Sequence, residues 1–538
     1  MPDVKPAMRI IYIPILLLFA AFLFLPLGML FVRSFETADG INLTNYLTVL
    51  SNAELMKSFG NSVKISGLTA VITTVLAFFL AYSIHCTRLY RPLKSVIKTG
   101  ILIPMLLPTI TFGFAIIYSF GNQGIITKIF GRNLFDIYGF NGLLIGYVIY
   151  TLPSAFLLIN NSFKYMDKKF IIVSKLMGDG TIRSFLNTII RPLSGTLGGA
   201  FVLSFILSFT DFGIPASVGG TYSVVATQLY QVMLGSIPDF NNGAVIAILM
   251  LIPVVFSVFL LNYLEKLNFH YDKFSDIELT QHKGRDICFG GISVLVLIGM
   301  FSVFAVMFIA PFLTSFPYDL TFTLKHFIDT FQSSDLTAVY KNSLFVALMT
   351  AVLGTFIAFS SAVLNVRTPL KGKSSMDVIS MLTNTVPGMV LGLSYLLLFN
   401  GSSWKGTFAI IILCNMVHFF TTPYLMAKNS LSKMNPAWET TGNLLGDSWI
   451  GTIYRVILPN SASTVIEMFS YYFINSMVTI SGIIFLVTAQ TTLVASKIKE
   501  LQHFAKFNEI FILSLLIFFT NLVVKLLCDH YQKRQFKH

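Results

Sequence analysis

The sequence predicts an all-α membrane protein of about twelve transmembrane helices, built as two tandem six-helix halves related by a pseudo-two-fold axis along the membrane normal. Three observations carry this. The 538 residues are 55% hydrophobic and only 11% charged, with a mean hydropathy of +0.75, far from the balance of a soluble domain. Apolar runs near the roughly 20 residues needed to cross a bilayer core of about 30 Å recur along the whole chain. Matching stretches also recur at offsets near 270 to 280 residues.

The elements follow in order. In the first half the apolar runs cover approximately 10 to 32, 61 to 84, 99 to 120, 141 to 160, 195 to 212 and 243 to 264. Lys5 and Arg9 precede the first run as they would a signal peptide, but it ends at Arg33 without a small-residue cleavage site, so it reads as a retained helix. A polar stretch opening with "EKLNFHYDKFSDIELTQHKGRD" at Glu265 separates the halves. The second half has runs at 289 to 313, 342 to 364, 377 to 399, 406 to 427, 462 to 486 and 508 to 529. The expected organisation is a first half over 1–264, a cytoplasmic linker over 265–288 and a second half over 289–538. Lipid offers no partner to an unpaired backbone group, so each run is a helix.

Net charge of +13 raises the question of a nucleic-acid partner. Its distribution answers it. With the N-terminus inside, 26 of the 37 Lys and Arg fall on the cytoplasmic side, the bias that orients helices against anionic lipid. No nucleic acid is expected, and both termini are placed in the cytoplasm. The cysteines, Cys86, Cys288, Cys414 and Cys528, and the eight histidines form no cluster at metal-ligand spacing. No metal site is expected on this chain.

The repeat is visible in three places. "NSVKISGLTAVITTVLAFFLAYS" from Asn61 aligns with "NSLFVALMTAVLGTFIAFSSAVL" from Asn342. "LLPTITFGFA" aligns with "NTVPGMVLGLSY", setting Pro108 over Pro387 and Gly113 over Gly392. "IIVSKLMGDGTIRSFLNTIIRP" from Ile171 aligns with "ETTGNLLGDSWIGTIYRVILP" from Glu439. Six helices per half is an even number, so the halves enter from the same side and the repeat is parallel.

The third pair lies between the fourth and fifth helices of each half, on the cytoplasmic side. A simple connection needs only a few residues, yet these loops span about thirty. Trp438, Leu444, Leu445, Trp449, Ile453, Val456 and Ile457 fall at helical spacing. The expected form is a short amphipathic helix, a glycine turn, a second short helix and a stop at Pro459. One such loop would read as a helix on the membrane surface. Two at matching places read as knobs for a partner protein.

At this point the sequence resembles a known family, the permease subunits of binding-protein-dependent ABC importers with the type I, maltose-transporter-like fold. Their loop signature is a Glu-Ala-Ala triplet, a Gly, and about ten residues later Ile-x-Leu-Pro. The second loop reads Glu439, Thr440, Thr441, Gly442, then Gly446, Asp447, Ile457, Leu458 and Pro459. The first has Gly178, Asp179 and Pro192 but departs at Ile171, Ile172 and Arg191, with one residue more between Gly178 and Pro192. The resemblance implies that the loops near 171–192 and 436–459 are coupling helices docking on an ATPase. Implied partners are two copies of a cytoplasmic ABC ATPase and an extracytoplasmic solute-binding protein. It also implies a bacterial plasma-membrane location. "SFTDFGIPASVGG" from Ser208, "ATQLY" ending at Tyr230 and "NSMVTISGIIFLV" from Asn475 resemble the fused double permeases for ferric iron, thiamine and 2-aminoethylphosphonate. The implied cargo is a ferric ion complex or a small phosphonate, with thiamine or a polyamine as alternatives.

No phosphate-binding loop is present: the one Gly-Lys-Ser, Gly372 to Ser374, has Arg367 where the first glycine belongs. The chain is therefore expected to carry no cofactor and to be no enzyme, ATP and Mg²⁺ residing on the partner. Candidate pathway residues are Asp211, its aligned counterpart Thr479, Ser481, and the helix-breaking Pro108 and Pro387. Asp211 reads either as a gate or substrate contact near the outer mouth or as a solvated helix end ahead of Gly213 and Pro215. The prolines read as pathway breaks or packing kinks. A rival of another class, an ion-coupled secondary carrier, would need buried carboxylates of which Asp211 is the main candidate; a membrane scaffold would have no use for the loops.

Overall fold

The computed structural model describes residues 4–167, 169–266, 282–316 and 318–535. Most of the expected linker, residues 267–281, lies outside the described residues. Among the described residues the regular structure is helical apart from two short antiparallel hairpins, Glu36–Thr37 with Gly40–Ile41 and Leu313–Ser315 with Asp319–Phe322.

Eight helices are long and apolar enough to cross a bilayer alone: Met8–Phe35, Ala53–Cys86, Phe140–Lys164, Thr181–Thr210, Phe240–Leu264, Lys283–Phe312, Asp335–Val366 and Phe507–Arg534. Three further spans are bent pairs. Arg91–Leu106 meets Thr109–Phe130 at 108°, Ser375–Thr385 meets Gly388–Phe399 at 101°, and Phe408–His418 meets Thr421–Ser432 at 52°. The remaining expected crossing, 462–486, is helical only over Ala462–Val478, 17 residues. It gives way to turns before the helix Val494–His503. The apolar runs thus mark helices, but those at 99–120, 377–399 and 406–427 are broken rather than continuous. At the first two breaks the cause is Pro108 and Pro387, each the residue just before the second piece. A proline's ring disfavours helix in the residue before it and leaves one carbonyl without a donor.

Packing groups these helices into two compact units. One comprises Met1–Leu50, Gln231–Leu251 and Lys325–His538; the other comprises Ser51–Tyr230 and Ile252–Leu324. Each half of the sequence therefore gives its first helix to the unit formed mainly by the other half. In one unit, Tyr395 donates from its hydroxyl to Phe22 O at 2.6 Å and Tyr12 to Gly372 O at 2.9 Å. Phe19 meets Phe420 edge-on with centroids 4.6 Å apart. In the other, Ser83 Oγ donates to Phe289 O at 2.9 Å, Ser119 Oγ donates to Val303 O at 3.0 Å, and Tyr82 lies 4.4 Å from Phe289. These hydroxyl bonds sit in apolar surroundings, where each contributes about 0.6 kcal/mol. Close approach matters as much: a Cβ on Gly290 would run into Leu89 Cδ2 at 2.6 Å.

Candidate functional site

The two loops between the fourth and fifth spans share one backbone device. In the first, the helix Lys169–Leu176 ends where Asp179 N donates to Ser174 O at 3.1 Å, five residues back, around Gly178 at φ +82°. In the second, the helix Ala437–Leu444 ends where Asp447 N donates to Gly442 O at 2.9 Å around Gly446 at φ +80°. This six-to-one closure through a left-handed glycine is the usual way to satisfy terminal carbonyls while reversing the chain. A Cβ at Gly178 or Gly446 would meet nothing within 4 Å, so the turns need glycine for backbone conformation, not for room. Gly442 is different. Its Cβ would collide with the Thr452 hydroxyl, so a glycine lets the two short helices of the loop touch.

The aspartate after each turn glycine braces the turn. Asp179 accepts from Ser174 Oγ at 2.8 Å and pairs with Arg183 at 3.2 Å. Asp447 pairs with Arg455 at 3.4 Å, while Ser448 Oγ caps the following helix by accepting from Gly451 N at 3.0 Å. What the turns present outward is apolar. Leu176 and Met177 are 82% and 79% exposed, and Leu444 and Leu445 are 83% and 82% exposed. Trp449 and Ile457, on the inner face, are buried.

The expected stop at Pro459 falls one residue later, at Asn460. In both loops the second short helix widens into a single π-turn, Leu186–Ile190 and Ile453–Ile457, and then continues through the proline. Pro192 lies in the first turn of Arg191–Thr210, and Leu458 and Pro459 open a last turn that runs to Asn460. The widened turn shifts the hydrogen-bond register just where the ring has no N–H to donate. A proline in the first helical turn then removes no hydrogen bond that the turn would have made.

Glu439 faces inward. Its carboxylate takes a forked pair from Arg367, Nε to Oε1 at 2.5 Å and Nη2 to Oε2 at 2.7 Å. The same guanidinium donates to Met434 O at 2.9 Å and to Asn435 O at 3.0 Å. Arg367 follows directly after the helix Ser334–Val366, so this pair ties the loop to the end of a span. Its side chain is 4% exposed and that of Glu439 is 16% exposed. The first loop has Ile171 at the aligned position and no such carboxylate. Reading along the sequence missed Arg367, whose only signal was a basic residue at a span end, 72 residues from its partner.

Within the spans, the broken helices pack on glycines. Gly113 lies against Ser217, and Gly213 lies 2.5 Å, as measured from an added Cβ, from Ile110 N. In the other unit Gly392 lies against Gly482 O, and Gly388 is close to His418 Nε2 and Gly482 N. Asp211 sits at the junction in the unit that holds Ser51–Tyr230, buried, with Oδ2 accepting from Ile214 N at 2.9 Å. It is thus no solvated helix end; it caps the short helix Gly213–Val218. Thr479 occupies the matching C-cap, its N–H donating to Asn475 O at 3.0 Å, and Ser481 opens the turn that follows. Pro108 and Pro387 are buried at the breaks. His418, whose buried Nδ1 has no hydrogen-bond partner, was not singled out by sequence pattern, a lone histidine in an apolar run carrying no spacing signal.

Comparison with known proteins fits this arrangement. Residues 73–266 and 352–537 each match the family described as the binding-protein-dependent transport system inner membrane component. A Haemophilus influenzae chain named as a ferric transport system permease protein, FbpB 1, is 26% identical over 494 residues, 89% of this chain and 77% of the relative. The ferric transport system permease protein FbpB of Actinobacillus pleuropneumoniae is 26% identical over 503 residues, 89% of this chain and 71% of the relative. The spermidine/putrescine permease protein PotC of Haemophilus influenzae is 24% identical over 244 residues, 44% of this chain and 90% of its own length. With the family matched once in each half, the protein belongs to the binding-protein-dependent transport system inner membrane components and carries two of them in a single polytopic chain.

Proposed function

We propose that this chain is the transmembrane permease subunit of an ATP-driven importer with both halves fused, that its cargo is a ferric ion complex, and that the loops at 171–192 and 436–459 are its couplings to two ATPase subunits. The observation that carries the coupling assignment is the matched pair of glycine turns, each holding two large apolar side chains out of the protein. A free loop tip gains nothing by exposing Leu444 and Leu445 to water. Burying each in a partner's groove contributes about 1.5–3 kcal/mol. Two rigid knobs at equivalent positions suit two identical partner grooves, and closure of the ATPase pair would then move both halves together. An extracytoplasmic binding protein delivers the cargo, and both termini lie in the cytoplasm, in line with the asymmetry of Lys and Arg.

Ferric iron is favoured over a phosphonate because the relatives aligned over most of this chain are named for ferric transport. The test is to purify the chain with the products of neighbouring genes and titrate the binding protein with ferric ion, 2-aminoethylphosphonate, thiamine and spermidine. Tight binding of ferric ion, with uptake into ATP-loaded vesicles, supports the reading. Selective binding of another solute replaces the cargo and leaves the importer. Uptake by the chain alone under an ion gradient would overturn the importer in favour of a secondary carrier.

A further inference from the structure

We propose that two short helices, Thr44–Ser51 and Lys325–Gln332, are membrane-surface anchors that lie in the leaflet opposite the coupling loops with three apolar side chains each among the lipid chains. They occupy equivalent places, between the first and second spans of each half. Three spans separate this position from the coupling loops, so the two features lie on opposite sides of the bilayer.

Residue for residue, 43–51 and 324–332 share one pattern of accessibility, although the sequences "LTNYLTVLS" and "LKHFIDTFQ" have little else in common. One flank, Leu43, Leu47 and Leu50, or Leu324, Ile328 and Phe331, is apolar and exposed. The adjoining flank, Thr44, Thr48 and Ser51, or Lys325, Asp329 and Gln332, is polar and exposed. The third flank, through Val49 or Thr330, is buried against the protein. Successive residues turn by about 100°, so the apolar flank meets the polar one edge to edge. That geometry fits a helix half-immersed at a water–lipid boundary; in water it would leave six large apolar side chains wet.

The contacts of each helix set it at that level. Tyr46 bonds Ser34 Oγ at 2.9 Å and its ring lies tilted 5.0 Å from that of Phe35, in the last turn of the first span. One turn further into that span, Phe31 and Val32 are exposed, so the apolar flank continues the lipid-facing surface. His326 lies 3.1 Å from Asn508 Nδ2, in the first turn of the last span. Each helix is also joined to the next long helix through one residue, Asn52 or Ser333.

The experiment uses the whole transporter in liposomes, with the exposed Cys288 replaced by Ser and single nitroxide labels at L47C, T48C, I328C and D329C. Collision with oxygen, which partitions into lipid, is compared with collision with a water-soluble nickel chelate. Labels at 47 and 328 are expected to favour oxygen several-fold, and those at 48 and 329 to favour nickel. Equal nickel access on both flanks would overturn the anchoring. Shielding at 47 and 328 that appears only on adding the binding protein would overturn it too, and would assign these flanks to a protein partner.

Discussion

Glu439→Gln isolates the electrostatic tie between the second loop and the span that ends at Val366. The substitution keeps the shape and one acceptor but removes the charge opposite a guanidinium that is 4% exposed. Breaking a fully buried pair on one side costs about 3–5 kcal/mol. Here two carbonyl bonds to Arg367 survive, from Met434 and Asn435, and the amide oxygen still accepts, so about 2 kcal/mol remains. That corresponds to local opening of the loop roughly 30-fold more often. Peptide-resolved hydrogen exchange over 434–447 should therefore speed up about 30-fold, while peptides over 171–185 stay unchanged as an internal control. Arg367→Met should loosen the same segment. The double variant should fall short of the sum, since each change removes the same bond. Unchanged exchange in the Gln variant, with weakened ATPase binding instead, would refute the inward role and return Glu439 to the docking surface.

Other outcomes follow from the same geometry. Gly446→Val forces a β-branched residue to φ +80° at a cost of about 1–2 kcal/mol; assembly should persist while transport-linked ATPase stimulation is lost in vesicle assays. Leu444→Asp with Leu445→Asp should weaken ATPase binding at least 10-fold, measured by titration of the purified subunit. Gly392→Ala sets a methyl against the Gly482 carbonyl and should lower the melting temperature of the detergent-solubilised protein, since backbone cannot move aside as a side chain can. Asp211→Asn keeps an acceptor for Ile214 N and should leave stability within about 1 kcal/mol. A raised KM for uptake in that variant would reveal substrate contact beyond the cap.

Much of this was legible in the sequence because the solvent dictates it. Lipid forces apolar runs into helices, and duplication prints the same runs twice, so the spans, both loops and the turn glycines at 178 and 446 could be read directly. The prolines at 108 and 387 read as pathway breaks or packing kinks, and neither reading revealed bends near 100°, because the angle depends on what packs against Gly113 and Gly392. Arg367 and Glu439 were each visible, but nothing local joins residues 72 apart. Asp211 was open to two readings, a pathway contact or a solvated helix end, because the sequence does not show what surrounds a carboxylate; only packing shows the buried cap. The course of the chain through Pro192 and Pro459 was hidden for a similar reason, since a π-turn leaves no compositional mark.

The exchange of first helices bears on the order in which the chain can be made. The helix Met8–Phe35 is made long before the residues after Lys325 that form most of the unit receiving it. The other unit is equally incomplete until the helix Lys283–Phe312 has emerged. Domains usually fold as they leave the ribosome, N-terminal first, but here neither unit can close on the first half alone. A translation product halted near residue 264 would hold the helix Met8–Phe35 and residues 231–251 without the rest of their unit, and the other unit without its helix Lys283–Phe312, so quality control at the membrane has a long interval in which to meet this protein unfinished.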